Sequence, residues 1–421
     1  MKNVTIIGGG QAGLQICESL RREGYGGEIS LISDEGYLPY HRPPLSKAFL
    51  LGEINEERLP IRPESFFEKQ NVRYRKNVKV MGLDRANKSI ELSDGPPLFY
   101  EKLAIATGAR VRTLPLAVNE NKIFYVRSLE DAKRLAEVLP SLSRVGVIGG
   151  GFIGLEAAAV CRTLGKEVIL FEQAETLMAR VVPEDLASFY EGYHKDKGVR
   201  VELNTLIKGV SESNDSISIA TDTKVIDVDA LIVGIGAIPN VELAKKAGLD
   251  CENGILTNSA GQTSDESIFA AGDCAAVYSG YFKKHIRLES VQHAVDTGKV
   301  VGASMLGKSQ NYSAVPWFWS DQYDLKLQIA GSLETYDDIY LLGEMRDCSF
   351  STFYFFEGRH VGTASVNRPS DHMKSRKILA NGSMLKKSDM EKAGFDFASF
   401  VKKTIILNVI FKPCIPFLTY F

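Results

Sequence analysis

Hydrophobic and polar positions follow two different periods along this chain, and the order of the periods repeats. Residues 3–7 and 28–33 are short β-rich apolar runs, and between them Ala12 to about Glu23 repeats its apolar positions at helical spacing. The layout returns at 144–148 and 167–171, around a second helical stretch from about Ile153 to Leu164. Strand, glycine turn, helix, strand, twice over, predicts parallel pairing and two doubly wound α/β units. Leu103 to Ala109 and Val228 to Gly236 read as further buried strands. From Trp317 the pattern changes to aromatic-rich alternation, as in Ser349 to Phe356, and predicts a third domain of antiparallel α+β type. From Thr404 to Phe421 the chain is mostly apolar but broken by Lys412, Pro413 and Pro416. That tail neither spans a membrane nor makes a regular helix; a buried strap, a surface patch and an irregular end all fit it.

Composition narrows the class. At 421 residues the chain exceeds one ordinary core and suggests about three domains. A formal charge of -2 with 24% charged residues gives no global reason to bind nucleic acid or a membrane surface. Met1 and Lys2 lead straight into a strand ending in glycines, unlike a signal peptide, and no run of 18 apolar residues exists; a cytoplasmic protein with no membrane span is expected. The six cysteines, at 17, 161, 251, 274, 348 and 414, form no CxxC or CxxxxC pair. This argues against a metal knuckle and a redox disulfide and fits a reducing compartment. None of the histidines has metal-ligand or triad spacing, so no metal is expected.

The chemistry is written in the glycine turns. Gly8, Gly10 and Gly13 fit GxGxxG between a strand and a helix. The first glycine makes the tight turn, the second lets backbone approach a pyrophosphate, and the third lets helix pack on strand. Asp34, with Glu35 as second choice, stands about 20 residues on, where an acid grips an adenosine ribose. Gly149, Gly151 and Gly154 repeat the fingerprint, followed by Glu172. A carboxylate there hydrogen-bonds a free 2′-hydroxyl and repels a 2′-phosphate; with Gln173-Ala174 beside it and Arg180 farther along, NADH is expected over NADPH. One such motif alone is compatible with an ordinary glycine turn, but two in matching contexts predict two dinucleotides.

Longer motifs carry a resemblance. Pro39-Tyr-His-Arg-Pro-Pro-Leu-Ser-Lys47, Ala106-Thr107-Gly108, AAGDCA at 270–275 and PWFWSDQY at 316–323 resemble the putidaredoxin reductase type of NADH-dependent ferredoxin reductase, over residues 1 to about 403. The resemblance implies a glutathione-reductase-like fold: a discontinuous FAD domain at 1–112 and 240–316, an NAD domain at 113–239, and a C-terminal α+β domain at 317–403. It places Gly8, Gly10, Ala12, Gly13, Asp34, Lys47, Val80, Arg127, Asp273 and Val291 at FAD. It pairs Lys47 with Glu156 to orient the nicotinamide carboxamide, sets Phe152 over that pocket, and puts Trp319 by the flavin and the docking face. Arg42, Thr107, Gly108, Arg180 and Gly236 complete the cofactor-binding candidates. Each has a plainer alternative: Lys47 as a solvated surface lysine, Asp273 as a turn acid, Phe152 and the Trp317/Trp319 pair as packing.

The resemblance implies non-covalent FAD, NADH as donor and a 2Fe–2S ferredoxin as acceptor, feeding a haem-thiolate monooxygenase or a ring-hydroxylating dioxygenase. Such ferredoxins are acidic, and residues 368–403 hold nine Lys or Arg (368, 374, 376, 377, 386, 387, 392, 402, 403) against four Asp or Glu; Lys283, Lys284, Arg287 and Lys299 add a smaller set. A solvated surface accounts for the same charges. An NADH oxidase, peroxidase or disulfide reductase of the same fold needs a cysteine over the flavin, and none lies between Cys17 and Cys161. Reduction of small radicals, and a signalling role like that of apoptosis-inducing factor, remain as alternatives.

Overall fold

A computed structural model describes residues 1–115, 122–212, 216–382 and 384–402; the apolar tail and Lys403 lie outside these. By packing, the chain divides into two units: Met1–Ala179 with Tyr190–Ala314, and Arg180–Phe189 with Val315–Phe421. Segment 180–189, which the sequence division put in the NAD domain, groups instead with the C-terminal part. The Phe189 ring meets Phe350 edge-on at 4.9 Å, which the sequence spacing does not reveal.

The larger unit holds two five-stranded parallel sheets. One runs Ile268–Ala270, Lys102–Ile105, Asn3–Ile7, Glu28–Ile32, Val72–Arg75; the other runs Val199–Glu202, Glu167–Phe171, Arg144–Ile148, Ala230–Val233, Ile123–Phe124. In each the first strand of the glycine motif is central, paired in parallel on both sides. Its residues are buried at every position after the first, Thr5 included, because both sheet faces are covered. The two motif helices run Gln11–Arg22 and Phe152–Thr163. A third helix, Val291–Ser304, lies on the first so closely that a Cβ at Gly302 would fall 2.5 Å from the Ser19 Cβ.

One expected strand needs correction. The single strand expected from Val228 to Gly236 is two, Val225–Val228 in an antiparallel sheet and Ala230–Val233 in the parallel one. Asp229 makes the break, its carboxylate accepting the Ser143 and Arg144 amides at 2.6 and 2.8 Å. Asp273 sits in the 3-10 turn that follows the strand ending at Ala270. Chain passages Ala109–Val111 and Ala237–Pro239, which flank the second sheet in sequence, pair antiparallel with one another.

The smaller unit is built on a five-stranded sheet, Trp317–Gln322, Leu325–Gly331, Arg359–Val366, Ser349–Phe356, Asp338–Glu344, antiparallel throughout. Helices Pro369–Ala380 and Lys387–Met390 follow it in the chain. Phe353, Phe355, Ile378, Leu385 and Phe397 form its apolar core.

Candidate active site

Two of the three glycines in each turn are required by the protein itself. Gly8 has φ of +113°, and a Cβ there would fall 2.1 Å from the Ala106 carbonyl oxygen; at Gly13 it would fall 2.0 Å from that of Gly8. The second turn repeats this at Gly149 (φ +102°) and at Gly154, whose Cβ would fall 1.9 Å from the Gly149 oxygen. The middle glycines differ. Around Gly10 and Gly151 nothing lies within 4 Å of a Cβ, and each is the N-cap of its helix with no side-chain cap. Uncapped N–H groups and the positive end of the helix dipole therefore face an open approach, which fits a dinucleotide's pyrophosphate.

The acids behind the turns are held differently. Glu172 accepts the Gly150 N–H on one oxygen at 2.6 Å and the Ala174 N–H on the other at 2.8 Å. Its carboxylate is thereby fixed against the second turn. Asp34 is exposed after its strand. The second choice, Glu35, is already engaged by Arg42 and by the Tyr40 hydroxyl. Arg180 is exposed and belongs to the smaller unit.

Between the two motifs stands an ion pair. Pro43–Ser46 forms a single 3-10 turn, and Lys47, just after it, places its Nζ 2.9 Å from Glu156 Oε2. The Ser46 hydroxyl donates to the same oxygen at 2.7 Å. Glu156 is only 2% exposed and Lys47 17%, so Lys47 is no solvated surface lysine. Each charge offsets the burial cost of the other. Sequence reading missed Ser46, although it adjoins Lys47 in the motif. Phe152 opens the second helix, half-buried.

Arg127 donates from Nε to the Ala109 carbonyl at 2.9 Å and from Nη2 to Asp273 at 2.7 Å. Gly108, at φ +65°, lies beside it: a Cβ there would be 3.7 Å from Arg127 Nη2. Thr107 and Asn240 exchange hydrogen bonds at 2.8 Å in both directions. Asn240 lies 133 residues away, and no sequence signal points to it. Gly236, at φ +105°, accepts the Arg112 amide at 2.9 Å. Ala12 and Gly272 are in close approach where the first helix starts. Val291 begins its helix after Ser290, whose hydroxyl accepts the His293 N–H. Val80 packs partly buried on the core that contains Ile105 and Ala270.

A family model described as pyridine nucleotide-disulphide oxidoreductase matches residues 2–298. The chain belongs to this family. A second model, described as reductase C-terminal, matches residues 317–401 of the oxidoreductase. Rhodocoxin reductase of Rhodococcus erythropolis is 39% identical over 397 residues, covering 94% of this chain and 93% of that protein. The ferredoxin reductase for the CYP199A2 system of Rhodopseudomonas palustris superposes with a TM-score of 0.92 at 38% identity, over 95% of this chain and all of that one. The reductase in a covalent putidaredoxin reductase–putidaredoxin complex also gives 0.92, at 35% identity, covering 96% of this chain and 99% of that chain.

Despite the word disulphide in the family's description, three of the five described thiols of this oxidoreductase are buried. Cys17, Cys161 and Cys274 are free and buried. Burial pushes the Cys17 thiol well up and that of Cys161 up to about 12, so neither forms a thiolate readily. Among the described residues no cluster of metal-ligating side chains occurs, and no helix is long and apolar enough to cross a membrane. In the smaller unit, Trp317 and Trp319 share a strand face with ring centroids 5.4 Å apart, and the Arg376 guanidinium lies 4.3 Å from the Trp317 ring. Lys374 is turned inward, 3.8 Å from Asp371 and 5.6 Å from the Phe397 ring centre, whereas Lys377 is exposed.

Proposed function

We propose that this oxidoreductase is an NADH-dependent ferredoxin reductase that holds FAD at the Gly8–Gly13 turn and NADH at the Gly149–Gly154 turn. It passes electrons singly to a 2Fe–2S ferredoxin that supplies a haem-thiolate monooxygenase or a ring-hydroxylating dioxygenase. The Lys47–Glu156 pair carries the reading, because it joins the segment just after Pro43–Ser46 to the helix of the second glycine turn. FAD, when bound, supplies the conversion of a two-electron donor into single electrons. The chain's own residues do the rest. The uncapped helix ends at Gly10 and Gly151 bind phosphate, Asp34 and Glu172 hold riboses, and Lys47–Glu156 orients the carboxamide. The amino end of helix Val291–Ser304 favours negative charge on the ring system.

The division into a discontinuous FAD domain, an NAD domain and a C-terminal domain belongs to the same proposal, supported by the pairing of 109–111 with 237–239. So does cytoplasmic residence. The acceptor is supported by the relatives' names: one serves a CYP199A2 system and another is joined to putidaredoxin. Lysines such as Lys377 give an acidic partner its landing charge, with Trp319 on the same unit. The deciding experiment is NADH-driven reduction of a panel of ferredoxins, with dichlorophenolindophenol as control acceptor. Rapid turnover with at least one ferredoxin is expected. Dye turnover with every ferredoxin silent would return the reading to small-radical reduction, and slow turnover with NADH-dependent association would favour the signalling role.

A further inference from the structure

We propose that Leu177 and Met178 are positioning residues for donor choice. They close segment 172–178 onto Gly150, so that the Glu172 carboxylate is set before a dinucleotide arrives. The inference rests on the reading that the second glycine turn holds NADH, and it names what lets that site select it.

Gly150 stands between Gly149, which makes the turn, and Gly151, which caps the helix. Both of its backbone polar groups are engaged by the two ends of one short segment. Its N–H donates to Glu172 Oε2 at 2.6 Å, and its carbonyl accepts the Met178 N–H at 2.9 Å. Leu177 covers its remaining side: a Cβ at Gly150 would fall 2.6 Å from Leu177 Cδ2 and 3.1 Å from Glu172 Oε2. Leu177 and Met178 are both buried, so neither side chain can retreat into solvent. Met178 keeps its place in a left-handed conformation, φ +52°, which a residue with a Cβ adopts at a cost. Its burial and its bond to Gly150 offset that cost.

The acid is held from its other sides as well. Glu172 Oε1 accepts the Ala174 N–H at 2.8 Å. In its main chain, the N–H donates to the Glu202 carbonyl and the carbonyl accepts the Thr205 N–H, each at 2.9 Å. The first turn is built otherwise. A Cβ at Gly9 would meet the Ser33 and Tyr74 side chains, and Asp34 is exposed.

The consequence is selectivity. A carboxylate that accepts two N–H groups still has lone pairs for a ribose diol, and it needs no ordering when the ligand binds. It cannot swing aside for a 2′-phosphate without releasing both charge-assisted bonds. An acid free to rotate repels the phosphate only until it turns away; a locked one repels it throughout. Loosening segment 172–178 therefore weakens the hold on a free ribose and relaxes the exclusion of its phosphate.

The test is calorimetric titration of the FAD-loaded enzyme with ADP-ribose and with its 2′-phosphate, which carry the adenosine end without a nicotinamide. Gly150→Ala drives a methyl into Leu177 and Glu172. It is expected to weaken ADP-ribose binding, and to cut the preference over the 2′-phosphate, each by roughly tenfold, the scale of one hydrogen bond to a charged group. Adding Leu177→Ala clears the space and should restore most of both losses, so that the double variant binds better than Gly150→Ala alone. Additive losses, or an unchanged preference in Gly150→Ala, overturn the proposal. If Gly150→Ala is not recovered folded, Leu177→Ala alone must narrow the preference, to a smaller extent; equal weakening of both probes marks a merely structural role and overturns it. A wild type with no preference for ADP-ribose overturns the lock, whereas failure to bind either probe removes the donor from the second turn and the lock with it.

Discussion

Replacing Glu156 by alanine removes the acceptor of two neighbours at once, the Lys47 ammonium at 2.9 Å and the Ser46 hydroxyl at 2.7 Å. Taking one partner from a buried ion pair costs about 3–5 kcal/mol, because the other charge stays behind unpaired. Lys47 keeps 17% exposure, so water recovers part of that cost and the lower end applies. A loss of about 3 kcal/mol lowers Tm by several degrees without unfolding the protein at room temperature. The kinetic effect is expected to be larger in proportion: a misplacement of about 1 Å at a reacting centre costs roughly 10²-fold. Anaerobic stopped-flow reduction by NADH, followed at the flavin band, should therefore slow by about one to two orders of magnitude while the protein stays yellow. Glu156→Gln, which still accepts from Ser46 but carries no charge, should fall between alanine and wild type. A Glu156→Ala protein that retains FAD and is reduced within about twofold of the wild-type rate would refute a positioning role for this pair.

Glu172→Ala combined with Gln173→Arg should narrow the preference for NADH over NADPH by roughly tenfold or more, the scale of one charged hydrogen bond at about 1.5–3 kcal/mol. Steady-state kcat/KM with both nucleotides measures it, and a wild type that uses both equally contradicts the role of Glu172. Burial pushes the imidazoles of His293 and His360 from the ordinary 6.5 down to about 4, so both fold as neutral rings. Between those values the unfolded chain binds protons that the folded chain refuses. Stability should be complete above about pH 6.5 and fall as pH drops towards 4, by up to about 1.4 kcal/mol per unit for each ring. Urea midpoints across that range, with a flatter profile in His360→Gln, provide the check; greater stability at lower pH would contradict it. Lys377→Glu should raise the KM for ferredoxin and weaken its dependence on ionic strength while sparing dye turnover. Equal slowing with both acceptors would remove Lys377 from the landing site. Lys374 is the poorer choice for charge reversal because its ammonium is packed against Phe397 and Asp371.

Local rules made much of this legible. Gly8 and Gly149 adopt backbone angles that disfavour other residues, so the motif can be read from the letters, and the helices and strands around it follow their periodicities. The position of Glu172 after its strand brings it against the second turn, where it accepts the Gly150 N–H, whereas Asp34 after the equivalent strand is exposed. What stayed hidden depends on distant chain passages. Nothing at Thr107 announces Asn240, and nothing at Arg42 announces the Arg127 carbonyl, because such partners are chosen by tertiary packing. The break at Asp229 was missed because apolar residues on both sides read as one run. The grouping of 180–189 with the C-terminal part, where Phe189 meets Phe350, is set by packing between distant passages and not by chain order.

The pairing of Ala109–Val111 with Ala237–Pro239 means that the chain departs and returns side by side. The two ends of the stretch between them are therefore held side by side, like the hem of a pocket sewn to a garment, while its segment 180–189 groups with the C-terminal unit. The five-stranded sheet that contains Asn3–Ile7 takes four strands from before this stretch and one, Ile268–Ala270, from after it, all in parallel register. Such an arrangement lets a nucleotide-binding module be exchanged between hosts, or altered in its donor preference, while the flanking architecture keeps its register.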